Sequence, residues 1–264
     1  AGLNFIDVYH RTGLYPIGPL PAIPGMEGAG MVEAIGEGVS EVAVGDRVAY
    51  AGLPPGAYAE VRIMPADRLA KLPESISTRQ GAAMMLQGMT ARYLLKGCYE
   101  VKAGDSILIH AAAGGVGLIA CQWAKHLGAT VIGTVGSPEK AELAQSHGCD
   151  HPILYREEDF VARVKEITNG RGVDVVYDSI GETTFMKSLD CLRPMGMMVS
   201  FGQASGPIPP MDISILAAKG SLFLTRPSLM AYTAERQDLL AHAQDLFEVV
   251  EKGAVKIEIH QTYP

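Results

Sequence analysis

The stretch Ser106–Gly117, SILIHAAAGGVG, decides the fold of this chain of 264 residues. It contains a short apolar strand, a turn rich in alanine and glycine, and the start of a helical pattern that continues to Leu127. A strand that passes through such a turn into a helix is typical of the first βαβ unit of a dinucleotide-binding fold. Aligned to the fingerprint G-x-G-x-x-G, the turn has Ala112 in the first position and glycine in the other two, at Gly114 and Gly117. Alanine fits the first position if its φ angle stays negative.

Strand and helix patterns alternate after this turn. Apolar runs predict five further strands, at residues 130–135, 152–155, 173–178, 197–201 and 220–224. Strands that are apolar on both faces and are separated by amphipathic helices indicate a parallel sheet covered by helices on both sides. Such a sheet binds its ligand at the carboxyl ends of the strands.

The first part of the chain has a different texture. It is rich in glycine and proline and has short strand patterns at residues 30–36, 46–50 and 57–63. This pattern predicts a mostly β domain. Near the end, a long amphipathic helix is predicted at 238–251 and another strand at 255–259. The fold class is therefore α/β, with a doubly wound Rossmann sheet and a β-rich second domain.

Composition excludes several classes of function. The net charge of -7 argues against nucleic acid or an anionic membrane as the main partner. No apolar run reaches the roughly 18 residues that a membrane-spanning helix needs. The four cysteines have no C-x-x-C spacing, which favours reduced thiols in a cytoplasmic protein over a zinc site or disulfides.

The region after the second strand of the sheet indicates the type of dinucleotide. An NAD site usually places Asp or Glu about 20 residues beyond the first glycine, where it holds the ribose 2′-hydroxyl. The corresponding segment here, Gly133–Ser137, has no acidic residue, so a 2′-phosphate is not repelled. Ser137 and Lys140 open the next helix, where backbone donors and the helix dipole favour an anion. The cofactor is therefore predicted to be NADPH, with Tyr155 and Arg156 beside its adenine.

These motifs resemble a known family. Gly104-Asp105, Leu108, the turn Ala112–Gly117, Gln122 and Lys125 stand in the order and spacing of the quinone oxidoreductase/ζ-crystallin signature. The chain is thereby similar, over nearly its whole length, to the zinc-free branch of the medium-chain dehydrogenase/reductase superfamily. The resemblance implies a GroES-like catalytic domain at residues 1–86, a Rossmann NADPH-binding domain at 87–228, and a return to the catalytic domain at 229–264. It also implies that segments are missing at both ends.

The resemblance further implies the residues of the site. Asn4, Tyr9 and Tyr15 would be the catalytic residues, and the two tyrosines would line the pocket over the nicotinamide. Cofactor contacts would fall on Thr90, Ala113, Gly114, Gly115, Val116, Gly117, Gly136, Ser137, Lys140, Tyr155, Ser179, Phe201 and Gly202. A tyrosine hydroxyl or a water molecule would protonate the product. A homodimer is expected, paired through the strand near residues 221–224.

The same resemblance predicts that no metal is bound. Zinc alcohol dehydrogenases carry Gly-His-Glu where this chain has Gly25-Met26-Glu27. Their cysteine ligands fall within Asn4–Asp7 and near Gln87, where this chain has no cysteine. Zinc prefers nitrogen and sulfur ligands in a tetrahedral arrangement, which these side chains do not supply. Without a Lewis acid to polarise an alcohol, the expected reaction is reduction of an electron-poor acceptor.

The predicted function is NADPH-dependent reduction of quinones by hydride transfer without zinc. One alternative is an NADPH-dependent enoyl or enone reductase, because both reactions deliver hydride to a conjugated acceptor. Another is a non-catalytic NADPH- or RNA-binding protein of the crystallin type. The acidic net charge and the lack of a basic stripe interleaved with aromatic residues count against this last alternative.

Overall fold

The computed structural model describes residues 1–263, and their contacts form two compact units. One unit comprises Ala1–Thr90 together with the segment that begins at Leu229, and the other comprises Ala91–Ser228. No helix among the described residues is both long enough and apolar enough to cross a membrane.

The first unit contains a small antiparallel sheet. It begins with helix α1 (Phe5–Thr12), and the sheet has the strand order β1 (Glu27–Met31), β2 (Arg47–Ala51) and β3 (Ala70–Lys71). A single 3-10 turn, Ala66–Arg68, precedes β3. Helix α2 (Thr78–Arg92) then leads to a π-helical segment, Tyr93–Cys98.

The second unit is built on a parallel sheet of six strands. The strands are β4 (Ser106–Ile109), β5 (Thr130–Val135), β6 (His151–Leu154), β7 (Val173–Asp178), β8 (Leu192–Ser200) and β9 (Phe223–Thr225). The helices are α3 (Gly115–His126), α4 (Pro138–Ser146), α5 (Phe160–Ile167), α6 (Phe185–Asp190) and α7 (Ser214–Ala218). The strand order β6-β5-β4-β7-β8-β9 is that of the Rossmann fold, and the order in which strands are added to the sheet switches sides between β4 and β7. The predicted fold class is confirmed.

The core of the sheet explains why its central strands are rich in apolar residues. All six residues of β7 are buried, as are Ile107, Leu108 and Ile109 of β4. Helices cover both faces of a doubly wound sheet, so neither face of a central strand meets water. A mostly apolar run is the pattern of such strands, and the two buried aspartates of β7, Asp174 and Asp178, are hydrogen-bonded.

The chain returns to the first unit through helices α8 (Leu229–Tyr232) and α9 (Arg236–Glu251). Two arginines bind this segment to the region before β3. Arg236 Nη1 donates to the carbonyl oxygen of Asp67 at 2.8 Å, and Arg68 Nη1 donates to that of Thr233 at 3.0 Å. Because these bonds satisfy backbone carbonyls, they fix the backbone and not only the side chains.

Three strand predictions are wrong or displaced. Residues 57–63 form no strand, and Ile63 and Val61 are 98% and 67% exposed. Residues 255–259 also form no strand, and the strand expected at 30–36 lies instead at Glu27–Met31. A strand needs a hydrogen-bonded neighbour, and local alternation of apolar residues does not specify one.

Candidate functional site

The turn between β4 and α3 has a strained backbone. Ala111 is in the left-handed region, with φ of 54°. Ala112, the residue that replaces the first glycine of the fingerprint, is not among the described residues with positive φ. The left-handed conformation costs an L-residue about 1–2 kcal/mol. It closes the turn, because the N–H of Gly114 donates to the Ala111 carbonyl at 2.8 Å.

Gly117 allows helix α3 to begin directly on this turn. A Cβ atom at Gly117 would overlap the Ala111 carbonyl oxygen and lie 2.6 Å from that of Ala112. Gly114 is the N-cap, and Gly114 and Gly115 are exposed. The first N–H groups of a helix have no intrahelical acceptor and carry the positive end of its dipole. The turn therefore fits a pyrophosphate group.

The turn between β5 and α4 fits a second phosphate. Ser137 is the N-cap of α4, and its Oγ accepts from the N–H of Lys140 at 3.4 Å. The Lys140 side chain is exposed beside this helix start. A Cβ atom at Gly136 would lie 3.0 Å from the hydroxyl of Tyr155, so glycine lets that ring lie close to the turn.

Glu139 is a charge that the sequence reasoning missed. It lies in the first turn of α4, and the hydroxyl of Ser137 donates to its carboxylate, which lowers the pKa of Glu139. Glu139 lies two positions beyond Gly133–Ser137, the segment in which an acidic residue would indicate NAD. The preference of helix N-termini for acidic residues was the signal that would have found it.

The ends of β7 and β8 are also brought together. The N–H groups of Phe201 and Gly202 donate to the carbonyl of Asp178 at 2.8 and 3.4 Å. A Cβ atom at Gly202 would lie 2.5 Å from the carbonyl oxygen of Ser179. The cofactor residues predicted in the second unit thus lie at the carboxyl ends of β4, β5, β6, β7 and β8. They are Ala113–Gly117, Gly136, Ser137, Lys140, Tyr155, Ser179, Phe201 and Gly202.

The three predicted catalytic residues lie at or near α1 in the first unit, and Thr90 lies in α2. Asn4 is the N-cap of α1, and its N–H donates to the carboxylate of Asp7 at 2.9 Å. The rings of Tyr9 and Tyr15 pack edge to face with 5.0 Å between their centroids, and Phe5 packs similarly against Tyr9. The result is a partly exposed aromatic group.

The positions that correspond to zinc ligands form a hydrogen-bonded cluster. Asn4 Nδ2 donates to Glu27 Oε2 at 2.6 Å, and Gln87 Nε2 donates to Asn4 Oδ1 at 3.1 Å. The N–H of Leu86 donates to the other Glu27 oxygen at 2.9 Å. Burial raises the pKa of Glu27 to about 7, although these hydrogen bonds lower it. With Met26 beside them, the donor set is two amides, a carboxyl and a thioether, which does not fit zinc.

Asp7 and Tyr58 extend this cluster and were missed from the sequence. The Tyr58 hydroxyl donates to Asp7 Oδ2 at 2.8 Å. Burial and this hydrogen bond raise the pKa of Tyr58, so the phenol keeps its proton at neutral pH. No group of three or more His, Cys, Asp or Glu residues suited to a metal occurs within residues 1–263.

Comparison with known families defines the class. Residues 1–74 match the alcohol dehydrogenase GroES-like domain, and residues 115–244 match the zinc-binding dehydrogenase domain. The chain thus has the two-domain organisation of the medium-chain dehydrogenases and reductases. Although the second domain is named for zinc, the residues at the corresponding positions here do not form a zinc site.

Individual relatives narrow this class. A quinone oxidoreductase of Pseudomonas aeruginosa is 52% identical over 262 residues, which are 99% of this chain and 81% of the relative. A 2-haloacrylate reductase of Burkholderia is 48% identical over 269 residues and covers 100% and 81%. The crystal structure of Escherichia coli quinone oxidoreductase complexed with NADPH superposes with a TM-score of 0.95 at 51% identity, covering 98% of this chain and 79% of that one. The chain belongs to the quinone oxidoreductase family.

Proposed function

We propose that this chain reduces quinones with NADPH by direct hydride transfer and without zinc. The observation that carries the proposal is the pair of adjacent turns at the carboxyl edge of the parallel sheet. One presents the start of α3 to a pyrophosphate, and the other presents Ser137 and Lys140 to a 2′-phosphate. The likeness to a quinone oxidoreductase that binds NADPH supports the same conclusion.

The second unit would hold the cofactor. The turn Ala113–Gly117, with the free N–H groups at the start of α3, would hold the pyrophosphate, and Ser137 and Lys140 would hold the 2′-phosphate. Tyr155 lies against Gly136 and would stack on the adenine. Ser179, Phe201 and Gly202 at the ends of β7 and β8 would flank the nicotinamide half. Thr90 of α2 is the remaining residue proposed to contact the cofactor. When bound, NADPH supplies the hydride.

The residues of α1 would hold the acceptor. Tyr9 and Tyr15 provide aromatic surface for a planar ring. The Asn4 amide is held by Glu27 and Gln87, and its nitrogen is a hydrogen-bond donor to an acceptor oxygen that gains negative charge. A tyrosine hydroxyl or a water molecule then protonates the product. Because the donors present do not suit zinc, the acceptor must already be electron-poor.

A second candidate function is reduction of an activated C=C bond. The 48% identity to a 2-haloacrylate reductase favours it. An acrylate is a conjugated acceptor like a quinone, so it needs the same hydride delivery and the same stabilisation of developing negative charge. The two reactions differ in the acceptor that they require and not in the cofactor.

The remaining parts of the proposal concern organisation. Residues 1–86 and 229–264 are assigned to catalysis, and residues 87–228 to NADPH binding. The exposed edge of β9 supports a homodimer, because pairing would satisfy its backbone. The four free cysteines support a reducing, cytoplasmic setting.

Steady-state turnover with NADPH tests the function. Rates are measured against 1,4-benzoquinone, a naphthoquinone, 2-chloroacrylate and an enoyl thioester. We expect the highest kcat/KM with a quinone. A higher kcat/KM with 2-chloroacrylate would select the second candidate, and NADPH binding without turnover of any acceptor would reject both. Tyr15→Phe and Tyr9→Phe identify the proton donor, because only loss of the donating hydroxyl lowers kcat.

A further inference from the structure

His110 is a buried histidine between β4 and the phosphate turn, and the proposed reaction does not use it. Its ring makes two side-chain hydrogen bonds of 2.9 Å, from Nδ1 to Thr134 and from Nε2 to Ser188. Thr134 belongs to β5 and Ser188 to α6, so the ring joins three elements of the second unit. Phe160 packs edge to face on the imidazole, with 5.1 Å between the ring centroids.

The hydrogen-bond partners define the state of this ring. The Ser188 hydroxyl donates to Asp178 Oδ2 at 3.2 Å or to the Thr184 carbonyl at 2.9 Å. Its oxygen therefore accepts from His110 Nε2, and Nδ1 accepts from the Thr134 hydroxyl. Burial lowers the pKa of His110, although the Asp178 charge opposes this shift. The ring stays neutral at neutral pH, with one donor and one acceptor.

Asp178, at the carboxyl end of β7, links Ser188 to the backbone of the segments that follow β7 and β8. Its Oδ1 accepts from the N–H groups of Ile180 and Gly181 at 2.7 and 3.1 Å. Its carbonyl accepts from the N–H groups of Phe201 and Gly202. Asp178 is fully buried, so these bonds satisfy a carboxylate that is removed from water.

The network thus connects the carboxyl ends of β5 and β7, which are both proposed to hold the cofactor. On one side, Thr134 precedes Gly136 and Ser137, and its carbonyl accepts from the N–H of Ala112 in the phosphate turn at 3.1 Å. On the other side, Asp178 precedes Ser179. In a Rossmann sheet the two halves of a dinucleotide lie on opposite sides of the first strand. The adenosine half belongs to the β5 side and the nicotinamide half to the β7 side.

We propose that His110 is a positioning residue that sets the spacing of the two halves of the NADPH site through Thr134 on one side and Ser188 on the other. The inference rests on the NADPH-binding part of the proposed function. Loss of a buried hydrogen-bond partner leaves the remaining group unsatisfied, so its neighbours shift to restore a bond. The Thr134 bond and the Ser188 bond should therefore affect different halves of the bound cofactor.

Two single substitutions distinguish the effect of the Thr134 bond from that of the Ser188 bond. Thr134→Val removes the donor to Nδ1, and we expect the Kd for NADPH to rise about fivefold to tenfold with kcat nearly unchanged. Ser188→Ala removes the acceptor of Nε2, and we expect kcat to fall by a similar factor with the Kd nearly unchanged. The Kd is measured by calorimetry and kcat with 1,4-benzoquinone.

Substitution of the histidine itself gives an independent check. The amide nitrogen of His110→Gln takes the place of Nε2, so this variant keeps the Ser188 bond and should behave like Thr134→Val. The amide oxygen of His110→Asn takes the place of Nδ1, so this variant keeps the Thr134 bond and should behave like Ser188→Ala. A merely structural role would give the same defect in both variants.

Thr168→Val is the matched control. The Thr168 hydroxyl also makes two hydrogen bonds in the second unit: it donates to the Val164 carbonyl and accepts from the N–H of Gly172. Thr168 precedes β7, so it lies toward the amino end of that strand, away from the carboxyl ends that are proposed to hold the cofactor. We expect it to lower the melting temperature and leave the Kd and kcat unchanged. The inference is overturned if Thr134→Val and Ser188→Ala lose only stability, or if Thr168→Val reproduces their defects. A wild-type chain that does not bind NADPH would instead overturn the proposed function.

Discussion

Glu27 and Glu139 are carboxylates in opposite environments, and each contacts a residue proposed to bind a reactant. Glu27 is fully buried and accepts from the Asn4 amide, whereas Glu139 is exposed and accepts from Ser137. Desolvation penalises the charged form of the first, and hydrogen bonding favours the charged form of the second. At the scale of single residues, burial therefore raises the pKa of Glu27, and hydrogen bonding lowers the pKa of Glu139.

Glu27 should make stability depend on pH. Its pKa is about 7 in the folded protein against 4.5 as the ordinary value, so the folded state retains a proton that the unfolded state loses. Its stabilising contribution is complete below the ordinary value and is lost as pH rises through about 7. We expect Glu27→Gln to remove a fall of about 2–3 kcal/mol in the free energy of unfolding between about pH 5 and pH 8.

Urea unfolding at the two pH values measures this effect. Glu33→Gln, an exposed change in the same unit, is the control and should follow the wild type. If Glu27→Gln and the wild type lose stability in parallel, Glu27 is already ionised in the folded protein.

Glu139 should weaken binding of a 2′-phosphate. Its negative charge lies next to Ser137 and Lys140, and its carboxylate accepts the hydrogen bond of the Ser137 hydroxyl, which is then not available to a phosphate. We expect Glu139→Gln to tighten NADPH binding about twofold to fivefold at low salt and to leave NADH binding unchanged. Calorimetry with both dinucleotides measures it, with Glu142→Gln on the same helix as the control. Equal changes for NADPH and NADH would show that Glu139 does not lie near the 2′-phosphate.

At the scale of elements, the turn between β4 and α3 has the least freedom. Ala111 adopts a left-handed backbone, Gly114 bonds back to it, and Gly117 brings the helix onto the same carbonyl groups. Strain of this kind persists only where the surroundings impose it, and it is common at ligand sites. The turn combines a strained backbone with exposed N–H groups.

Gly117→Ala should therefore damage both folding and binding. The added methyl group overlaps backbone atoms and not a flexible side chain, so α3 must move. We expect a loss of about 1–3 kcal/mol in the free energy of unfolding and NADPH binding at least about tenfold weaker. Gly30→Ala is the control, because its methyl group meets open space. Wild-type affinity in Gly117→Ala would mean that α3 does not hold the pyrophosphate.

The elements that the sequence predicted best are those with the simplest environment. The bounds of β5 and β7 agree with the predicted 130–135 and 173–178, because strands buried on both faces are rich in apolar residues. The strand expected at 57–63 failed because its pattern lacks a partner. The cluster of Asn4, Glu27 and Gln87 was missed because these residues are far apart in sequence.

The candidate site was predictable to a similar degree. The two turns that are proposed to bind phosphates are marked by local motifs, so their residues could be proposed from the sequence. The network around His110 joins positions 24 and 78 residues away, and a single sequence does not reveal such pairings. Glu139, in the first turn of α4, could also have been predicted from the local sequence.

At the scale of the whole molecule, β9 is an exposed edge strand of the parallel sheet. Among residues 1–263 it pairs with β8 alone, and Phe223 and Leu224 on it are 57% and 39% exposed. An exposed apolar edge strand invites pairing with a second copy, which a two-fold axis closes. We expect a homodimer at micromolar concentration in sedimentation experiments, and a monomer that still binds NADPH for the double variant Phe223→Lys, Leu224→Lys. Leu143→Lys, on α4 beside the opposite edge, should stay dimeric, and a wild-type monomer would reject the interface.

The most direct test is the initial rate of NADPH oxidation with 1,4-benzoquinone, measured before and after exhaustive dialysis against a metal chelator. We expect the same rate in both samples, and a kcat/KM for NADPH at least about tenfold above that for NADH. A rate that falls on dialysis and returns with added zinc, or a preference for NADH, would contradict the proposed function.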